Sequence, residues 1–153
     1  MQKDRNMKYK KYRKGVTSII YIKEKGKFYY LVVKRKLRWK GYGVVKGGIL
    51  KSENYIYAVK RELREETGLK PIRIIDLKLK NKFDYPKKHQ KVFKKKGFDS
   101  KCYAVQVAKK KIRLNHENSS YKFLSFEKAK KILTFKDEKE LLEKADKKIR
   151  NII

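Results

Sequence analysis

Residues 47–69 read GGILKSENYIYAVKRELREETGL and place three acidic side chains on one face of a predicted helix. Glu62, Glu65 and Glu66 stand at i, i+3 and i+4, a spacing that sets side chains next to one another on a helix. Like charges at this spacing destabilise an isolated helix, so something must offset their repulsion. Mg²⁺ and Mn²⁺ prefer oxygen ligands, and Mg²⁺ usually takes further ligands from substrate phosphates. The stretch therefore predicts a divalent-cation site that serves phosphate chemistry.

The residues around the acidic cluster predict where the helix begins and ends. Asn54 is a good N-cap, and Ala58, Val59 and Leu63 form an apolar stripe beside the acidic face. Gly68 suits the left-handed position that follows a helix.

A second interpretation is an exposed amphipathic helix in which Arg61 and Arg64 pair with the glutamates. The residues before the helix favour a site instead. Gly47 and Gly48 allow a loop to approach a ligand closely, and Glu53 can fold back toward the acidic face.

The stretch resembles the Nudix motif at every position that the motif specifies. The pattern G-x5-E-x7-R-E-U-x-E-E-x-G-U, where U is a bulky aliphatic residue, begins at Gly47, passes Glu53 and ends at Leu69. Fixed spacing over so many defined positions makes this a strong signal. The resemblance implies a Nudix hydrolase, which cleaves a nucleoside diphosphate linked to another moiety. It also implies the fold, a mixed β-sheet sandwiched between α-helices in the α/β (α+β) class.

The resemblance assigns roles within the motif. It implies two or more Mg²⁺ or Mn²⁺ ions, held by Gly47, Glu62, Glu65 and Glu66. Arg61 orients the glutamates through salt bridges, and Gly68 has a structural role. For the general base, we consider Glu53 and Glu65 within the motif and Glu117 outside it, because a late carboxylate could accept a proton from the attacking water.

The composition is extremely basic, with 46 Lys+Arg against 16 Asp+Glu and a formal charge of +30. A basic surface attracts polyphosphates or RNA. However, the cations are mostly lysines dispersed along the chain, which fits a lysine-rich proteome better, since phosphate recognition tends to recruit arginine. RNA therefore stays a second candidate partner.

The length predicts a single domain, and the resemblance implies a Nudix domain over residues 15–153. Residues 1–14 are predicted to be a mobile basic arm. No apolar run is long enough for a membrane span or a secretory signal, and one cysteine, Cys102, fits a reducing interior. We expect a cytoplasmic protein with no membrane partner, either a monomer or a homodimer.

Apolar runs predict strands at residues 16–22 and 27–33, joined as a hairpin, and at 42–49, 72–79, 101–107, 111–114 and 121–125. Further helices are predicted from the Ser125 cap to residue 133 and over residues 136–152. Residues 80–97 are polar and lysine-rich, which indicates a functional loop.

Three segments resemble the branch of diadenosine tetraphosphate hydrolases and RNA pyrophosphohydrolases: residues 47–53, residues 83–86 (FDYP), and residues 116–124 (HENSSYKFL). This resemblance implies hydrolysis of diadenosine tetraphosphate to ATP and AMP by metal-activated water. The candidate substrate-binding residues are Lys46, Tyr85, His116 and Lys136. The alternatives are an RNA 5′-pyrophosphohydrolase, an ADP-ribose or modified-nucleotide pyrophosphatase, and a basic RNA-binding protein without turnover.

Overall fold

The computed structural model of the protein describes residues 8–36 and 40–152. Within these ranges the strands are β1 (Tyr12–Glu24), β2 (Lys27–Arg35), β3 (Gly41–Gly43), β4 (Val45–Gly48), β5 (Arg73–Asp84), β6 (Gly97–Gln106) and β7 (Asn118–Leu124). The helices are α1 (Tyr55–Thr67), α2 (Lys87–Phe93), α3 (Phe126–Ile132) and α4 (Lys136–Ile152). Across this described part of the chain, no helix has the length and apolar character needed to cross a membrane.

The strands form one mixed sheet in which β1 is central. The order is β3-β2-β1-β6-β5, while β4 pairs with β1 and β7 pairs with β2. Strand β1 runs parallel to β6 and antiparallel to both β2 and β4. Its residues 15–18 pair with β4, and its residues 21–24 pair with β2. Strand β4 is thus held against β1, and the loop that follows it leads directly into α1.

Helices cover both faces of the sheet, so the predicted mixed sheet between helices is confirmed. In β1, Ile20 and Ile22 pack in the cluster that contains α1, whereas Ile19 and Tyr21 pack in the cluster that contains α3 and α4. A strand buried on both faces reads as a continuous apolar run, as this one does. Cys102 is completely buried in the second of these clusters, so it packs as part of the core.

Helix α1 has the boundaries that its sequence predicts. The Asn54 side chain accepts a hydrogen bond from the Tyr57 N–H at 2.8 Å. Gly68 has φ of 74°, and its N–H donates to the Arg64 carbonyl at 2.9 Å. Ala58 and Leu63 are completely buried against the sheet. Packing of this apolar face therefore fixes the direction in which the acidic side chains project.

The N-terminal boundary differs from the prediction. Strand β1 begins at Tyr12, so residues 12–14, which were predicted to belong to the arm, are part of the sheet. They pair in register with the first residues of β6, and the Lys96 N–H donates to the Lys11 carbonyl at 2.8 Å. Residues 1–7 of the predicted arm lie outside the described residues.

The prediction of a loop at residues 80–97 is wrong over most of that range. Strand β5 continues to Asp84 because it pairs antiparallel with β6 as far as Gly97, and helix α2 follows. The strand predicted at residues 42–49 is divided into β3 and β4, and residues 111–114 do not form a strand. These differences share one cause, since pairing between distant strands decides where each strand ends.

Leu63→Ala tests how far the packing of α1 stabilises the fold. Leu63 is completely buried, so truncation should lower the free energy of unfolding by about 2–5 kcal/mol. Urea denaturation measures the loss. Ile56→Ala on the same helix is the control, because Ile56 is exposed and its loss should change the stability by less than about 0.5 kcal/mol. Equal effects of the two substitutions would contradict the packing described here.

Candidate active site

The guanidinium of Arg61 joins three glutamates and the loop that precedes α1. Its Nε and Nη2 donate to the two carboxylate oxygens of Glu53, at 2.6 and 2.9 Å. Its Nη1 donates to Glu62 at 2.8 Å and to Glu65 at 3.0 Å. Nη2 also donates to the Gly48 carbonyl at 2.8 Å. This network offsets the repulsion within the acidic face, which is the orienting role expected for Arg61.

Glu53 belongs to this network rather than to the cleft. Both of its oxygens accept hydrogen bonds from Arg61, and one also accepts the Leu50 N–H at 2.9 Å. The hydrogen bonds from Arg61 lower the pKa of the Glu53 carboxyl. Its side chain is only 5% exposed and is not among the residues that line the cleft described below. The geometry therefore favours a structural role for Glu53 over that of a general base.

Glu62 lies directly over Gly47. A Cβ atom at Gly47 would lie 2.2 Å from the Glu62 carboxylate carbon, so only glycine leaves space for this side chain. Gly47 is held in position by strand pairing, since it lies opposite Val16 of β1. Burial raises the pKa of the Glu62 carboxyl to about 7, against the opposing effect of Arg61. Strand β4 and helix α1 thus meet at a buried carboxyl group whose negative charge is costly without a cation.

The loop before β7 brings Glu117 to the same acidic cluster. The Asn115 amide donates to Glu66, and its carbonyl oxygen accepts the Glu117 N–H at 3.0 Å. Asn118 donates to the other Glu66 oxygen at 3.4 Å. Burial is the first cause of the raised pKa of Glu66, and the charge of Glu117 adds to it. The two carboxylates are therefore electrostatic neighbours although 51 positions in the sequence separate Glu66 from Glu117.

These groups line one cleft of about 370 Å³. Its acidic wall consists of Glu62, Glu65, Glu66 and Glu117, and Gly47 and His116 also line it. Its basic residues are Arg13, Arg35 and Lys46, and its aromatic residues are Phe83, Tyr85, Phe93 and Phe98. The cleft thus combines oxygen ligands for cations with positive side chains suited to phosphates.

Sequence reasoning missed Arg13 and Arg35. Arg13 lies in the segment that was predicted to be an arm, and its guanidinium carbon is 4.9 Å from the centroid of the Phe93 ring. Arg35 ends β2, and its Nη2 donates to the Val44 carbonyl at 2.6 Å. Composition could have pointed to these two residues, because arginine is scarce in this lysine-rich chain and is the residue that phosphate recognition tends to recruit.

Tyr85 forms part of a packed wall and does not offer an open face. It is 5% exposed, and its ring stacks on Phe93 with centroids 4.8 Å apart. Phe83 contacts it edge-on at 5.8 Å. Because Phe83 and Phe93 are only partly buried and also line the cleft, they are better placed than Tyr85 to contact a base.

Lys136 is not brought to the cleft. It is the exposed first residue of α4 and lines neither the cleft nor a second, smaller pocket of about 220 Å³. Its neighbours Phe135 and Asp137 line that second pocket, together with Lys46 and Phe83. Adjacent residues of a helix point in different directions, so a role for residue 136 does not follow from a role for its neighbours.

The donor set fits a hard divalent cation. Across residues 8–36 and 40–152, no three histidine, cysteine, aspartate or glutamate side chains stand close enough to enclose a metal ion on their own. However, Glu62 and Glu65 accept hydrogen bonds from the same Arg61 nitrogen, and Glu66 and Glu117 line the same cleft. Mg²⁺ commonly binds one or two carboxylates and completes its shell with water and substrate phosphates. The site suits that mode of binding.

A family model described as the NUDIX domain matches residues 11–145. A crystal structure from Listeria monocytogenes, of a protein assigned as a NUDIX hydrolase, matches with a TM-score of 0.74 and 22% identity, covering 90% of this chain and 94% of that one. A C. elegans Ap4A hydrolase matches with a TM-score of 0.71 and 20% identity, covering 90% and 98%.

The NUDIX domain of Shewanella oneidensis NrtR, crystallised with ADP ribose, matches with a TM-score of 0.73 and 17% identity, covering 97% of both chains. No curated protein matches the chain. At these identities the solved structures show a common fold, and the family model carries the assignment of the domain.

Glu62→Gln tests the effect of burial on the Glu62 carboxyl. Its pKa is raised from an ordinary 4.5 to about 7, so its protonated form stabilises the folded state below about pH 4.5. That contribution is lost as the pH rises through 7, because the unfolded chain releases the proton more easily. Between pH 4 and 8, the metal-free wild type should lose about 1–3 kcal/mol more stability than the Gln variant.

Urea denaturation in EDTA at several pH values measures this difference. Glu140→Gln, at an exposed position of α4, is the control and should follow the wild-type pH dependence. Parallel curves for the wild type and Glu62→Gln would show that the buried carboxyl does not titrate as described.

Proposed function

The chain belongs to the NUDIX family, and we propose that it is a hydrolase that cleaves phosphoanhydride bonds of dinucleoside polyphosphates such as diadenosine tetraphosphate. The observation that carries this proposal is the composition of the cleft. Four glutamates face the same space as Arg13, Arg35 and Lys46. A polyphosphate needs both kinds of group, since its charge must be neutralised by cations and by positive side chains together.

We assign the binding of divalent cations, two or more Mg²⁺ or Mn²⁺ ions, to Glu62, Glu65 and Glu66, with Gly47 beside them. When bound, such cations lower the pKa of water and neutralise phosphate charge. Arg61 holds Glu62 and Glu65 in place before the substrate arrives. This pre-organisation means that the carboxylates need little rearrangement during the reaction.

We propose Glu117 as the general base, because it lines the same cleft as the glutamates of α1 but comes from the loop before β7. Glu65, which is half-exposed in the cleft, is the alternative. Glu53 is less suitable, since Arg61 occupies both of its oxygens and lowers its pKa. His116 lines the cleft beside Glu117 and can donate a hydrogen bond to a phosphate.

Two regions with aromatic walls support a dinucleoside substrate. One is the end of the main cleft near Phe93, and the other is the smaller pocket lined by Pro86 and Phe135. Phe83 and Lys46 belong to both. Stacking of a base on an aromatic side chain contributes about 1–3 kcal/mol in nucleic-acid complexes, so such walls suit the two bases of diadenosine tetraphosphate. The expected products are ATP and AMP.

One observation favours triphosphorylated RNA as a second candidate substrate. Helix α2, whose Phe93 lines the cleft, also carries the exposed residues Lys87, Lys88 and Lys91. Exposed lysines on a helix that borders the cleft would attract the backbone of an RNA whose 5′ end is bound there. In that case the products are a 5′-monophosphate end with pyrophosphate or phosphates. A cytoplasmic location suits either substrate.

Hydrolysis of a substrate panel tests the proposal. The panel contains diadenosine tetraphosphate, triphosphorylated RNA, ADP-ribose and 8-oxo-dGTP, each with Mg²⁺, and chromatography identifies the products. We expect the highest kcat/KM with diadenosine tetraphosphate. Fastest turnover of RNA would select the second candidate. RNA binding with a steep salt dependence, and no metal-dependent hydrolysis of any substrate, would show a binding protein instead.

Glu65→Gln tests the metal assignment. Loss of one cation ligand should lower kcat by about 10²–10⁴-fold, since cation and general-base catalysis each contribute on this scale. Glu65 is exposed at the cleft, so the fold should persist, which circular dichroism can verify. Glu140→Gln on α4 serves again as the matched control. Wild-type rates for Glu65→Gln with Mg²⁺ would contradict the assignment.

A further inference from the structure

A buried carboxylate from the last helix reaches the strand that leads into the site. Glu138, in the first turn of α4, is 1% exposed. One of its oxygens accepts the Val44 N–H at 2.9 Å, and the other accepts the Lys46 ammonium group at 2.7 Å. Gly43 makes space for it, since a Cβ there would lie 3.2 Å from the carboxylate. Helix α4 is thereby tied to residues 43–46.

Lys46 occupies the wall between the two cavities. Its side chain is 14% exposed and lines both the main cleft and the smaller pocket. Its ammonium nitrogen also lies 4.8 Å from the centroid of the Phe83 ring, within the range of a cation–π contact. Glu138 and Phe83 therefore hold the ammonium group, and the Lys46 side chain still lines the cleft. An ammonium group has three N–H donors, so these contacts leave it the capacity to bind a phosphate.

We propose that Glu138 is a positioning residue, which fixes the Lys46 ammonium group where it binds the substrate phosphate nearest to the moiety in the smaller pocket. This inference rests on the proposed hydrolysis of polyphosphates. A lysine side chain has several rotatable bonds, and a ligand that must immobilise it gives up binding free energy. Because the ion pair with Glu138 already immobilises Lys46, the phosphate binds without that loss.

Stability alone does not explain this ion pair. Removing two charges from water costs free energy that a buried pair often fails to recover, so apolar residues would serve as well to join α4 to the sheet. A carboxylate also stabilises the first turn of a helix when it is exposed, so the burial of Glu138 is not required for capping. Contact with a cation that lines the cleft is what distinguishes Glu138.

The same helix supplies a matched control. Asp146 is 6% exposed, like Glu138, and forms an ion pair with Arg150 at 2.8 Å and a hydrogen bond with Tyr30. It does not line either cavity. Asp146→Asn therefore removes a buried carboxylate of α4 without touching the substrate site, and should change stability while leaving KM unchanged.

Glu138→Gln tests the proposal, because glutamine retains an acceptor for the Val44 N–H and loses the charge that binds Lys46. The preferred substrate of the panel is used with Mg²⁺. We expect KM to rise about tenfold, as for one charge-assisted hydrogen bond, with kcat changed less than KM. Lys46→Met should raise KM at least as much. In the double variant, Glu138→Gln should add nothing to the effect of Lys46→Met.

Calorimetric titration with tripolyphosphate gives the same comparison without turnover, so it remains decisive if the wild type hydrolyses no member of the panel. In that case the proposed function fails, and an unchanged Kd in Glu138→Gln would be needed to overturn the positioning role. With an active wild type, an unchanged or lowered KM in Glu138→Gln overturns it. The positioning role is also overturned if Glu138→Gln raises KM by the same factor in the Lys46→Met variant as in the wild type. It is overturned as well if Asp146→Asn raises KM as much as Glu138→Gln does.

Discussion

The network around Arg61 is the interaction on which the rest of the site depends. Five hydrogen bonds from one guanidinium bind Glu53, Glu62, Glu65 and the Gly48 carbonyl. They join the β4 end, the following loop and α1 in a single rigid unit. Lysine could not replace Arg61, because an ammonium group lacks the planar fork that reaches two carboxylates and a carbonyl in different directions. Glutamates that would otherwise repel one another become a fixed set of carboxylates.

The sequence predicts this unit well because its determinants are local. All of them lie within 23 residues: the cap at Asn54, the apolar face with Leu63, the left-handed Gly68 and the spacing of the glutamates. Each is decided by helix geometry, and the structure reproduces the helix from Tyr55 to Thr67. The roles of the glutamates in metal binding stay predictions, since geometry alone does not test them.

The other half of the cleft depends on contacts between distant strands, which local patterns do not encode. Arg13 reaches the cleft because β1 pairs with β6, and Arg35 because β2 pairs with β1, β3 and β7. The local sequence of residues 1–14 is only basic, and that of residues 80–97 is only polar. Strand pairing makes residues 12–14 part of the sheet, and residues 80–97 become the end of β5, helix α2 and an aromatic wall.

The charges spread over the chain and the charges at the site differ in how far specific contacts hold them in place. Lysines dominate the composition, and most of those described are exposed or partly exposed at the surface, where salt screens their charge. At the cleft, by contrast, contacts hold the three arginine and lysine side chains that line it within the described part of the chain: Arg35 by the Val44 carbonyl, Arg13 against Phe93, and Lys46 by Glu138. A net charge of +30 can draw a polyphosphate toward the protein. Only cations held in fixed positions can align the scissile bond of the proposed substrate with Glu117, the proposed general base, so we expect selectivity to depend on these few contacts.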